Sequence, residues 1–152
     1  MLDSLRKILF GDGAITEGAH PRDEIQFAAA LLLTEAALMD GAVDEAERHR
    51  IRELLETRFA LSPSDAELLM RDAAAAQPDR IELYGPSRIL KDAFTYDQRV
   101  ELLEMLWDVV YADGVVHDYE SNLMRRLSGL LYVDDKDSGA ARKRVMERRG
   151  LS

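Results

Sequence analysis

The chain has 152 residues, with 20 Lys plus Arg against 29 Asp plus Glu, a formal net charge of -9, three His and no Cys. A length of this order suffices for one domain with its own core and needs no covalent staples. The missing thiol excludes disulfides, thiolate metal sites, iron-sulfur clusters and cysteine nucleophiles, so any metal must be held by oxygen or imidazole.

Five basic residues and one acid lie between Arg142 and Arg149, which leaves the rest of the chain more acidic still. Such a body repels phosphate backbones and anionic lipid, and favours cations or basic partners. At the start, Leu2, Leu5, Ile8 and Leu9 make a small apolar stripe beside Arg6 and Lys7. It reads as a short helix packed on the core. Its short apolar part and Asp3 are unlike a secretory signal. The Gly-rich stretch from Gly11 to Pro21 reads as a linker. Its Gly11-x-Gly13 is no phosphate loop, because no strand precedes it and Asp12 and Glu17 would repel the ligand. Residues 1–21 are therefore expected to be a short helix and linker, and residues 22–152 a helical domain. The best apolar run, Phe27 to Leu33, falls far short of the roughly 20 residues that span a bilayer. No membrane span is expected, and the cytoplasm is the default compartment.

From Asp23 to Asp40, Phe27, Leu31, Leu38 and several alanines recur at helical spacing, and Gly41 supplies a stop. Asp44 and Glu47 form a capping box that opens a second helix, with Ile51, Leu54, Leu55 and Phe59 on its inward face. Ser62-Pro63 opens a third through Leu68, Leu69 and Ala73 to about Ala76, and Gln77-Pro78 ends it. Between Asp79 and Ala93, Ile81, Leu83, Tyr84, Ile89 and Leu90 can serve as anchors, but Gly85-Pro86 interrupts the pattern, giving a loop and a short helix. Thr95 with Gln98 is a second capping box, opening a long helix through Val100, Leu103, Leu106, Trp107 and Val110 to about Ala112. The next runs from about Asp118 to Leu131 on Leu123, Met124, Leu127 and Leu131. The last starts near Asp137 and passes Val145 into the basic end, which reads as a solvated helix end whose cations suit the dipole. That reading leaves no nucleic-acid interface. Nothing alternates at a strand period, so the class is all-α, a compact domain of about seven helices.

The chain also repeats itself. Asp40-Gly41-Ala42-Val43-Asp44-Glu45-Ala46-Glu47 returns 73 residues later as Asp113-Gly114-Val115-Val116-His117-Asp118-Tyr119-Glu120. At the same offset Glu35 falls on Asp108, Ile51 on Met124, Leu54 on Leu127 and Phe59 on Tyr132. Two copies of one helical unit are implied, neither able to bury its apolar face alone. Glu45, Glu47, Asp118 and Glu120 lie in first turns, where the helix dipole stabilises an anion by about 0.3–1 kcal/mol. Asp40 and Asp113 end their helices, where a negative charge opposes the dipole. Either the amides of the Gly turn compensate, so that the acids are caps, or a hard cation does. Asp40, Asp44 and Glu47 would then form one cluster, and Asp113 and Glu120 the other, with Glu35 and Asp108 nearby. Ca²⁺, Mg²⁺ and Mn²⁺ fit such oxygens. The turn is no EF-hand, since glycine directly follows the first Asp. His117 stands where the first copy has Asp44, and is either a solvated loop residue or a ligand favouring Zn²⁺ or Mn²⁺.

This doubled D-G-x-V-x-x-x-E pattern, set in helix pairs from about Gln26 to Val133, resembles the TerB family of tellurite-resistance proteins and the TerB-like domain of membrane-anchored DnaJ-type co-chaperones. The resemblance implies an all-helical fold of two pseudo-symmetric halves, an acidic metal-binding surface and a stress-response role without catalysis. The chain departs from the family pattern at Met39 and His117. Direct handling of tellurite is disfavoured, since there is no thiol to capture it and an acidic protein is a poor receptor for an oxyanion.

The leading expectation is a cytoplasmic module that binds a divalent cation and, through it or beside it, an unknown protein partner. The alternative is a pure interaction domain whose acids only cap turns, with Met39, Tyr111 and Tyr119 as candidate contact residues. An enzyme is not expected: His20, His49 and His117 have no relay arrangement, and no Walker, Rossmann or H-E-x-x-H motif occurs.

Overall fold

A computed structural model of the chain describes residues 22–37, 44–76, 83–112 and 120–151. Among the described residues there are seven helices and no strand. They are α1 (Arg22–Ala37), α2 (Glu45–Arg58), α3 (Pro63–Ala76), α4 (Tyr84–Ala93), α5 (Tyr96–Val110), α6 (Glu120–Leu130) and α7 (Asp135–Arg148). The short N-terminal helix expected within residues 1–21 lies outside the described residues.

The repeat is larger than a helix pair. Adding the offset of 73 carries α1 onto α5, α2 onto α6 and also α3 onto α7, so each half is a triplet, and α4 joins the two. In each half the second and third helices pack on the first and on each other. The first helices, α1 and α5, meet at the centre, and α4 lies against both α1 and α6.

That central position explains their composition. In α1, Ile25, Leu32 and Leu33 are as buried as Ala29 and Ala37, so apolar residues occupy nearly every side. A helix that is apolar all round is an interior helix. The stripe expected through Phe27 and Leu31 is thus only part of its contact surface, and Phe27 is only half-buried. In α5 nearly the whole run from Leu102 to Val110 is buried. On α2 the expected inward face of Ile51, Leu54, Leu55 and Phe59 is fully buried.

Both capping boxes are closed. The Glu47 amide donates to Asp44 Oδ1 at 2.8 Å and the Asp44 amide to Glu47 Oε1 at 3.1 Å. In the second, the Thr95 amide donates to Gln98 Oε1 at 2.7 Å and the Gln98 amide to Thr95 Oγ1 at 3.3 Å. Ser62 caps α3 by accepting from the Asp65 amide at 3.1 Å.

Three expectations need correction. α3 turns Ala66, Met70 and Ala73 inward, while Leu68 is half exposed at 50% and Leu69 is intermediate. Small alanines let α3 lie close on α1 and α2, and this outweighs burial of the larger leucine. Gly85-Pro86 does not interrupt α4. Both sit in its first turn, where the missing proline N–H would have had no helical partner, and Tyr84 is exposed instead of anchoring. Finally, Phe59 is buried but its repeat partner Tyr132 is 67% exposed. α6 stops one residue earlier than α2 in the repeat frame, and Tyr132 takes the left-handed position (φ 57°) that Ala60 takes after α2 (φ 46°). The Tyr132 and Val133 amides then bond back to the carbonyls of Gly129 (3.2 Å) and Ser128 (2.9 Å), a Schellman closure that turns Val133 inward.

Candidate functional site

The acidic positions singled out by the repeat divide according to what surrounds them. Asp44 is exposed, and Glu47, one turn on, is buried, each holding the other's backbone through the capping box. Asp44 Oδ1 is used by the cap, and Oδ2 takes no part in it. Asp40 and Asp113 lie outside the described residues, as do His117 and Asp118, and Glu120 begins α6 with its side chain outside them. Among the described residues no group of three or more His, Asp or Glu is placed to hold a metal. Of the first cluster, Asp44 and Glu47 are linked through the capping box, and carboxylate oxygens are of the type that suits a hard cation. Glu35 is half-buried on α1.

Asp108 was expected beside the second cluster and has another role. Its side chain is only 4% exposed and both oxygens are taken by guanidinium groups. Arg149 Nε donates to Oδ1 at 2.7 Å, and Arg50 Nε to Oδ2 at 2.8 Å, with Arg50 Nη2 also bonded to Oδ2. One turn earlier on α5, Glu104 accepts from Arg144 Nε and Arg148 Nη1, each at 2.7 Å. Burial alone would raise the Glu104 carboxyl, but the Arg148 and Arg144 guanidiniums outweigh it and hold it below its ordinary value.

The basic tail is therefore not a solvated helix end. Arg144, Arg148 and Arg149 lock α7 onto α5. Arg142 stacks on Trp107 (5.2 Å to the ring centre) and Tyr111 (5.9 Å) while its Nε donates to Tyr111 Oη at 2.6 Å. Tyr111 is fully buried, stacked on Trp107 at 5.6 Å, and so is not a surface contact residue. Met39 and Tyr119 lie outside the described residues. The signal that pointed to the clamp was in the sequence. Glu104 and Asp108 stand four apart on one helix, as Arg144 and Arg148 do on another. In the first half Ala76 stands where the repeat frame places Arg149.

Asp44→Ala is expected to cost about 1 kcal/mol, the usual worth of an N-cap side chain, and to leave the fold intact. Urea unfolding checks this, and a loss well above 2 kcal/mol would mean that Asp44 does more than cap.

Two helix triplets related by a constant offset, with the same acidic sequence after the first helix of each, define an all-helical pseudo-symmetric module. The model of the family "Tellurite resistance protein TerB" matches residues 26–143. That span is most of the chain, and the chain belongs to the TerB family. No curated protein and no solved structure matches it at a significant level. No described helix is long and apolar enough to cross a membrane.

Proposed function

We propose that this TerB-family chain is a non-catalytic cytoplasmic module of the stress-response type. Its repeated acidic turns take a divalent cation, Ca²⁺, Mg²⁺, Mn²⁺ or Zn²⁺, and through it or beside it a protein partner. The observation that carries this reading is the Asp44 carboxylate, exposed at the head of α2 and fixed in place by the Glu47 amide, with Oδ2 outside the cap. A carboxylate held this way loses little freedom on meeting a cation, so capping and ligation are compatible roles. Asp40 and Glu47 would complete the first cluster, and Asp113 and Glu120 the second.

A second reading has its own support. The Asp44–Glu47 box is satisfied without any ion, and Asp108 is wholly committed to arginines. On that reading the acids are scaffolding and the module only docks a protein. Titration calorimetry of metal-stripped protein with Ca²⁺, Mn²⁺ and Zn²⁺ decides between them, run beside the double variant Asp40→Asn, Asp113→Asn. Micromolar binding that disappears in the double variant is expected. No heat at millimolar ion, with both proteins folded, would overturn the cation reading and leave the docking one.

A further inference from the structure

We infer that the cleft between α6 and α7 is a binding site for a small oxyanion of the phosphate type. The cleft holds about 190 Å³, with Trp107 of α5 on its wall. Water takes about 30 Å³ per molecule in the liquid, so there is room for several waters or one small ion, and not for a nucleotide.

Donors line this space. Ser128 is one of the lining residues, and its Oγ, covered from solvent, has no hydrogen-bond partner among the described residues, an arrangement that ordinarily costs free energy and is uncommon in a folded protein; an oxyanion reaches it by displacing the atoms that cover it. Ser138, also buried, supplies a second hydroxyl, whose oxygen accepts from Trp107 Nε1 at 3.4 Å and whose proton remains to be donated. Two guanidiniums complete the set. Arg142 uses Nε on Tyr111 and is braced by its two aromatic neighbours, which leaves its Nη groups for a ligand. Arg125 is exposed and, among the described residues, has no ion-pair partner. Guanidinium forks with hydroxyl donors are the chemistry that recognises a tetrahedral oxyanion.

The α7 wall of the cleft carries a glycine. Gly139 lies within α7, where glycine is about 1 kcal/mol worse than alanine, and a Cβ there would meet nothing within 4 Å. Asp135 also lines the cleft and opposes an anion, but one exposed carboxylate faces two guanidiniums, and the local balance is positive. The chain's overall net charge of -9 is screened beyond about 8 Å at physiological salt.

Trp107 is the one tryptophan in the chain and borders this cleft, so its fluorescence can report on occupancy there. Full-length protein is titrated with inorganic phosphate at constant ionic strength, with chloride as the control titrant. A saturable change is expected that chloride does not reproduce. Arg125→Gln should weaken it about tenfold or more, the usual worth of a charged hydrogen bond. Gly139→Leu, which fills the space and leaves every charge in place, should abolish it. Ser128→Ala should weaken phosphate binding while raising the melting temperature of the ligand-free protein. No saturation up to about tens of millimolar phosphate, the weak end of specific binding, would overturn the proposal. So would an affinity unchanged in Arg125→Gln and in Gly139→Leu, with circular dichroism showing both folded.

Discussion

Asp108→Ala is expected to destabilise the protein by about 3 kcal/mol, the low end of what removing one partner of a buried ion pair costs. The loss does not measure the attraction alone. Arg50 and Arg149, about three-quarters buried, would be left facing one another without the carboxylate between them. The effect should be large also because of position: Asp108 ties α2 of the first half and the end of α7 to the central helix α5. Urea denaturation with a double-mutant cycle across Asp108 and Arg149 checks it. A coupling energy near zero would mean that the clamp is geometric coincidence. Glu104 should make the same interface acid-sensitive. Its carboxyl lies below the ordinary value in the folded state, so its contribution is present above the unfolded carboxylate pKa of about 4.3 and is lost as pH falls through the folded value.

Glu101→Leu is expected to work in the opposite direction, stabilising the protein by about 1–2 kcal/mol at neutral pH. Glu101 is buried on α5, and among the described residues neither carboxylate oxygen has a hydrogen-bond partner. Desolvation pushes its carboxyl above the ordinary value, more than the surrounding positive charge, Arg58 included, offsets. A raised folded pKa means that the folded state holds the proton more tightly. The penalty of the charged form is then complete above the folded pKa and fades as pH falls toward the unfolded one. The stability difference between Glu101→Leu and wild type should therefore shrink between pH 7 and about pH 4. Comparing the two proteins cancels Glu104, whose dependence has the reverse sign. A difference that is constant with pH, or a destabilised variant, would show that Glu101 has a compensating partner.

The repeat frame makes Glu101 informative, because its counterpart at the offset of 73 is Ala28, buried in the equivalent helix. The symmetric copy shows that the fold requires nothing polar at this position.

How much of this was legible beforehand depended on the range of the interaction involved. Helix starts were read correctly at Asp44, Ser62 and Thr95, because a capping bond spans three residues and its chemistry is written locally. The inward face of α2 followed from periodicity, since a peripheral helix has one apolar side. Periodicity was least informative where burial was complete, as in α1, or where close approach mattered more than side-chain size, as in α3. The family, the all-α class and the doubled unit were likewise visible in the residues and their offset.

Tertiary structure alone decided the fate of the charges and of the second half's surface. The basic tail and Asp108 are 41 positions apart at the Arg149 contact, and only the packing of α7 alongside α5, with both helices running in the same direction, turns an apparently solvated end into a clamp. The cleft beside Trp107 likewise brings together residues of three helices that are far apart in the chain. Sequence by itself determined the helical class and the helix starts at Asp44, Ser62 and Thr95, because those free energies come from neighbours along the chain. It did not determine which charges are paired or where space remains, because those depend on distances set by packing between halves.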